Sequence, residues 1–259
     1  MEIITLLNHA YNNFNQQEFI ADDPISIPHA FQKKEDIEIA GFLTALISWG
    51  RRPAILKSAS LLMELMGNQP YDFVMKAADG DLKKLNHFVY RTFNSSDLLF
   101  MLYALKDLYL RKGGLEGVCQ KYFNQSGTTK DAICGLRTEL LQSPHLARSE
   151  KHLANPMSGS AAKRINMFLR WMVRQDNSGV DFGLWRKIPS AALMMPLDVH
   201  SGRVARQLGL LHRKQNDWKA VEELTSALRK FDTEDPVKYD FALFGMGVSG
   251  MKDILPGFG

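Results

Sequence analysis

Residues 156–174 read PMSGSAAKRINMFLRWMVR, and residues 188–210 read IPSAALMMPLDVHSGRVARQLGL. In the first stretch, apolar residues fall at Ile165, Phe168, Leu169, Met172 and Val173, the spacing of one buried helix face. Lys163, Asn166, Arg170 and Arg174 fall on the opposite, polar face. The pattern predicts a helix over 161–174, entered through a Gly159-Ser160 turn, with Lys163 in its first turn. A cation there opposes the helix dipole. A nucleophilic amine benefits from the same place, because only the neutral form attacks. The turn leaves backbone N–H groups pointing outward, which suits a phosphate. In the second stretch Pro196 precedes Asp198, which is predicted at or near the N-cap of the next helix, with Val204, Leu208 and Leu211 inward. Capping alone accounts for an aspartate at that position. A capping carboxylate is also fixed in direction, and can stabilise a positive charge that develops above the helix end.

The rest of the chain supplies a helical setting. Residues 2–16 carry apolar residues at helical spacing. ADDPISIPHAF (21–31) holds two prolines and is predicted as a loop. KEDIEIAGFLTALISW (34–49) is too apolar for a surface helix and is expected to be central. It runs into Gly50-Arg51-Arg52-Pro53, and a helix resumes at Ala54. Arg51 and Arg52 either meet phosphates or sit as solvated cations at a helix C-terminus. Short helices are predicted over 70–78 and 81–92. A longer one over 95–111 has Ser95 or Ser96 as its N-cap, and two more follow over 115–123 and 129–141. No β-branched run of period two is found, so the fold class is all-α, with about ten or more helices and no internal repeat. The whole chain, 1–259, is expected to form one two-lobed domain. The polar loop SPHLARSEKHLANP (143–156) is its best internal boundary, and the region that carries chemistry is about 143–215. The tail from Asp235, with five glycines after Phe244, is expected either to pack as an irregular cap or to be partly mobile.

Composition narrows the function classes. With 45% apolar and 23% charged residues the chain is an ordinary globular one, not a disordered one. A net charge of +4 favours polyanions only mildly. Two cysteines without a CxxC argue against a disulfide framework, a cysteine zinc site or a four-cysteine cluster. His145 and His152 are seven apart in a loop, which argues against a metal there. No metal and no cofactor are expected. No stretch approaches the roughly 18 apolar residues of a membrane span. MEIITLLNHAYNN lacks the features of a secretory signal. The expected location is the cytoplasm, at the nucleoid. Ser160-Ala-Ala-Lys163 matches the S-x-x-K of penicillin-binding proteins, but their S-D-N and K-T-G partners are missing.

SGSAAKR followed by PLDVHSGRVARQLG resembles the helix-hairpin-helix superfamily of DNA glycosylases, which includes endonuclease III and the 8-oxoguanine glycosylases. Gly159 matches a hairpin glycine, Lys163 the catalytic lysine, Asp198 the aspartate, His200 the histidine two residues on and Arg203 the helix arginine. The gap of 35 residues from Lys163 to Asp198 is similar to that of the archaeal 8-oxoguanine glycosylases. The whole chain resembles a bacterial family of unassigned activity close to them. KEDIEIAGFLTALISWGRR resembles, more loosely, the early helix that approaches the substrate base. The hairpin has one glycine where many relatives have two, Leu197 stands where valine is usual, and the iron–sulfur cysteines of the endonuclease III branch are absent.

What the resemblance implies is a glycosylase with AP-lyase activity on DNA, as a damaged duplex or a single strand, acting on a base such as an oxidised purine. Lys163 would attack C1′ and form a Schiff base, with Asp198 stabilising the cationic sugar. Gly159, Ser160, Ala161, His200 and Arg203 would hold backbone phosphates. Trp49, Trp171, Phe182 and Trp185 are candidates for the wall of a base pocket, although each also suits an ordinary core. Two other readings stand beside this one: a non-catalytic helix-hairpin-helix protein that binds nucleic acid, and an all-α interaction module in which Asp198 only caps.

Overall fold

The computed structural model describes residues 2–249 and is mostly helical. In chain order the α-helices are α1 (Ile3–Phe14), α2 (Glu18–Ala21), α3 (Ser26–His29), α4 (Lys34–Ile47), α5 (Arg52–Leu65), α6 (Pro70–Lys76) and α7 (Asp79–Lys83). After a hairpin of β1 (Val89–Tyr90) and β2 (Phe93–Asn94) come α8 (Ser95–Arg111), α9 (Gly114–Ser126) and α10 (Thr129–Leu140). Next are α11 (Lys163–Val173), α12 (Val199–Gln207), α13 (Trp218–Arg229) and α14 (Tyr239–Ser249). The chain divides into two compact units. One comprises residues 1–19 and 156–259, the other residues 20–155.

The unit of residues 20–155 is built on α4, in which every residue from Ile37 to Ile47 is buried. Helices α3, α5 and α6 pack on it, and α8, α9 and α10 pack on one another. Glu38, the acidic residue on the buried face, accepts the Tyr109 hydroxyl at 2.6 Å. Glu139 on α10 is buried and collects Lys112 Nζ at 2.5 Å, Lys121 Nζ at 3.1 Å and Tyr122 OH at 3.0 Å. Burial alone would raise this carboxyl. The three donors outweigh it and hold the group at about 2.

Three local predictions for this unit are corrected. The span 81–92 is not one helix: α7 stops at Lys83, and Tyr90 pairs with Phe93 across a two-residue turn whose first residue, Arg91, has φ +56°. The proline-containing stretch 21–31, predicted as a loop, contains a single-turn helix, α3, and is preceded by another, α2. Asn94, not a serine, caps α8: its side chain accepts Asp97 N at 3.2 Å while Asp97 Oδ2 accepts Asn94 N at 3.0 Å.

The polar loop 143–156 forms a 3-10 turn over Ala147–His152 and is spent on structure. Arg148 Nη1 reaches both oxygens of buried Asp97 at 2.9 Å, and Ser149 Oγ donates to Asp97 Oδ1 at 2.6 Å. His152 stacks edge-on against Phe93, with ring centroids 4.9 Å apart. Among the described residues no group of three or more His, Cys, Asp or Glu is placed to hold a metal. No described helix is long and apolar enough to cross a membrane.

The other unit surrounds α11. Helix α1 packs on α14, and α14 packs on α12. The expected polar face of α11 is not a solvated one: Asn166, Arg170 and Arg174 are all buried, as is every residue from Ile165 to Val173. Buried charges persist only when paired, and these arginines are paired throughout. Arg174 donates to Asp176 Oδ2 at 2.6 Å, Asp181 Oδ2 at 3.0 Å, Asp235 Oδ2 at 2.8 Å and Tyr11 OH at 2.9 Å. Burial disfavours its charge, and Asp181, Asp235, Tyr11 and Asp176 together overcome that, holding the guanidinium protonated above the usual arginine range. Arg170 donates to Asp181 Oδ1 at 3.2 Å and pairs with Asp240. The tail is helical where it is described, as α14, with a 3-10 turn at Pro236–Lys238 before it. The expectation of an irregular cap fails there, and its part from 250 to 259 lies outside the described residues.

Candidate functional site

The turn that leads into α11 is set by two backbone positions. Gly159 has φ +89°, a region that side-chain-bearing residues rarely adopt. Ala162, the residue before Lys163, has φ 48° and ψ 35° and is buried. Such a conformation costs a non-glycine residue about 1–2 kcal/mol. The cost is offset locally: Ala162 O accepts Ile165 N at 3.1 Å and Asn166 N at 2.9 Å, and Asn166 Nδ2 donates to Ala161 O at 3.1 Å. Two of the amides at this turn are engaged within it, Gly159 N with Pro156 O at 3.0 Å and Ala162 N with Ser160 Oγ at 3.2 Å. The tip, from Met157 to Ser160, is exposed.

Asp198 is the N-cap of α12. Its Oδ1 accepts His200 N at 2.8 Å, Ser201 N at 3.0 Å and Ser201 Oγ at 3.2 Å. The other oxygen, Oδ2, lies 3.9 Å from Lys163 Nζ, and both side chains are partly exposed. The lysine and the aspartate therefore meet, each from the first turn or cap of its own helix. One carboxylate oxygen serves the helix and the other faces the amine. Lys163 Nζ also lies 3.6 Å from Met167 Sδ, one turn on.

A segment that sequence reasoning missed holds these two helix starts together. Gly159 O accepts Trp218 N at 3.0 Å, and Ser160 bridges to Asp217. Asn216 Nδ2 donates to Asp198 O at 3.0 Å, while its Oδ1 accepts Arg206 Nη2 at 2.7 Å. The turn before α13 is thus bonded both to the Gly159-Ser160 turn and to the cap. The only advance signal was a polar Asn-Asp pair before an amphipathic helix.

The remaining candidates are distributed as follows. His200 is exposed, edge-on to Phe244 with ring centroids 6.2 Å apart. Arg203 donates to Gly247 O at 2.7 Å and so ties α12 to α14. Trp171 and Trp185 are fully buried, Trp185 edge-on to Phe168 at 5.4 Å, which makes both of them core. Phe182 is half-buried. In the other unit, half-buried Trp49 lies edge-on to Tyr90 at 5.9 Å and under the Arg91 guanidinium at 4.6 Å. Arg51 is exposed and Arg52 half-buried, and α5 begins at Arg52 while α4 already ends at Ile47. The two arginines are therefore at a helix N-terminus, and the alternative of cations favoured by a C-terminus does not apply.

Asp240 is a further residue that the sequence did not single out. It is buried in the first turn of α14. Burial raises its carboxyl to about 6 against the pull of Arg170; Asp198 and Asp181 add to the rise and Lys163 opposes it. From residue 23 to residue 249 the chain matches a family model described as a protein of unknown function, DUF2400, and it belongs to that family. No curated protein and no solved structure matches it.

Proposed function

We propose that this protein is a DNA base-excision glycosylase with AP-lyase activity, its hairpin and α11 forming a helix-hairpin-helix motif and Lys163 the nucleophile. The observation that carries the reading is the approach of Lys163 Nζ to Asp198 Oδ2 at 3.9 Å, from two neighbouring helix starts. An amine at a helix N-terminus, a directed carboxylate and an exposed hairpin suit an anionic sugar–phosphate substrate. The neutral lysine attacks C1′ of a nucleotide turned out of its stack, and the glycosidic bond breaks with its electron pair leaving on the base. Opening of the sugar ring yields a Schiff base, from which loss of a 2′ proton expels the 3′ phosphate. Asp198 stabilises the positive charge on the sugar.

Borohydride trapping tests this directly. Duplexes carrying 8-oxoguanine or an abasic site are expected to give a covalent protein–DNA adduct, which Lys163→Gln abolishes. Binding that weakens with salt but yields no adduct from the wild-type chain favours a non-catalytic nucleic-acid-binding protein instead.

A further inference from the structure

The two-residue turn of the β1–β2 hairpin carries Arg91 at φ +56°, a conformation that glycine or asparagine adopts more readily than arginine. The Arg91 guanidinium sits over the Trp49 ring, 4.6 Å from its centroid. A ring holds a cation without supplying a hydrogen-bond acceptor, so the guanidinium N–H groups stay available. Two contacts brace the arrangement on either side of Arg91 in the chain. Tyr90 OH donates to Trp49 O at 2.5 Å, and Arg148 Nη2 donates to Thr92 O at 2.8 Å. Gly50, with φ +104°, passes close under the Arg91 head: a methyl there would stand 2.9 Å from Nη1. Arg91 Nη1 is therefore no more than about 8 Å from the Cα of Arg51, the next residue, because consecutive Cα atoms are about 3.8 Å apart.

This corner is positive and uncompensated. Arg51 and Arg91 are exposed, and among the described residues neither forms an ion pair or a side-chain hydrogen bond. Other arginines of the chain differ: Arg111, Arg137, Arg148, Arg170, Arg174 and Arg213 each have a carboxylate. The two stretches that build the corner supply no acid, since none lies between Glu38 and Glu64 or between Asp81 and Asp97. Val89, two residues before Arg91, is 62% exposed. Two guanidiniums beside an exposed apolar side chain match a chain of phosphates carried on sugars and bases, where a free phosphate would use only the charge. We propose that Arg91, held on Trp49, and Arg51 grip the phosphodiester backbone of a nucleic-acid strand, at a binding site that the unit of residues 20–155 carries by itself.

The test is fluorescence anisotropy of a labelled single strand of DNA, about 20 nucleotides long, titrated with the full chain from about 0.05 to 0.3 M salt. Each phosphate contact contributes about 0.7 to the slope of log K against log salt. Arg91→Gly and Arg51→Ala are each expected to lower that slope by about 0.7 and to weaken binding about 10-fold at the low-salt end. Arg111→Ala is the control. It removes an equal charge at the far end of α8, about 24 Å from Ser95 at 1.5 Å per residue, and is expected to keep the wild-type slope and affinity. Arg91→Lys keeps the charge but loses the planar fork, and is expected to keep the slope and bind about 3-fold more weakly.

Arg91→Gly also separates binding from folding. Glycine suits a positive φ, so this variant is expected to melt within about 2 °C of wild type while its binding falls. No binding of the strand by wild type, or an unchanged slope and affinity in Arg91→Gly and Arg51→Ala, overturns the proposal. An equal loss in Arg111→Ala does the same, by reducing the effect to net charge. Two competitors settle the ligand. Inorganic pyrophosphate or an oligoglutamate peptide that displaces the labelled strand as well as unlabelled strand does, at equal charge concentration, overturns the assignment to nucleic acid; displacement by unlabelled strand alone supports it. Lys163 takes no part in this assay. Absence of borohydride trapping by wild type leaves the site standing. Trapping by a chain whose binding ignores both Arg91 and Arg51 removes the site and leaves the glycosylase reading standing.

Discussion

Asp198 has two jobs, and the two oxygens of its carboxylate allow them to be separated. Asp198→Ala removes the acceptor for His200 N, Ser201 N and Ser201 Oγ, which costs about 1 kcal/mol as a lost helix cap. It also removes the partner of Lys163, a partly exposed pair at 3.9 Å worth no more than about 1 kcal/mol. The sum, about 1–2 kcal/mol, lowers Tm by about 2–4 °C per kcal/mol in a chain of this size. Asp198→Asn keeps an oxygen for the cap and loses only the charge, so its Tm is expected to stay within about 2 °C of wild type. Activity is expected to divide the variants differently. Both lose the carboxylate that faces Lys163, and both are expected to trap abasic DNA about 100-fold more slowly or worse. Thermal melting and borohydride trapping on the same preparations decide. Trapping by Asp198→Asn at the wild-type rate would reduce Asp198 to a cap and remove it from the chemistry. Destabilisation of Asp198→Asn equal to that of Asp198→Ala would refute the division of labour between the oxygens.

Three further outcomes are expected. Arg174→Met leaves Asp176, Asp181 and Asp235 without their shared partner and should cost about 3–5 kcal/mol in urea unfolding; a loss under about 1 kcal/mol would show the network to be dispensable. Glu139 is held at about 2 against an ordinary 4.5, so its contribution to stability is full above 4.5 and is lost as pH falls through about 2. Glu139→Gln should accordingly flatten the acid limb of the stability profile in that window, and an unchanged limb counts against the assignment. Gly247→Ala places a methyl 2.9 Å from His200 Cβ and 3.0 Å from His200 O. It should push the first turn of α12 away, lowering stability by about 1–3 kcal/mol and slowing trapping; wild-type melting and trapping would show that the contact yields freely.

The elements legible in the sequence are those whose signals are local and long. Helix α8 spans Ser95–Arg111, the same residues that its apolar run marks out, and Asp198 is the N-cap that its position before an amphipathic turn suggests. The β-hairpin was not legible, because two residues per strand are too few for a period of two to show against a helical background. The burial of α11 was hidden for a different reason. Arg170 and Arg174 look like solvent-facing charges until Asp176, Asp181, Asp235 and Asp240, scattered over 65 residues, are brought to them by the fold. Lys163 and Asp198 could be chosen by helix-end chemistry. Asn216, Asp217 and Asp240 could not, since their importance lies in long-range contacts that no local spacing encodes.

The pairing of α1 with α14 has a consequence for the making of the molecule. Tyr11 and Phe19 meet Phe241, and Tyr239 OH donates to Asn8 Oδ1 at 3.1 Å, so α1 docks on a helix made much later in synthesis. The 225 residues from Phe14 to Tyr239 take about 10–45 s to synthesise at ordinary translation rates. For that time Leu6, Leu7 and Ala10 have no α14 to cover them, while the residues 20–155, a compact unit by themselves, are already complete. Asp240, the partner of Arg170, rides on α14. Arg170 is made 70 residues before it, so a buried guanidinium waits for one of its carboxylates until α14 has been added.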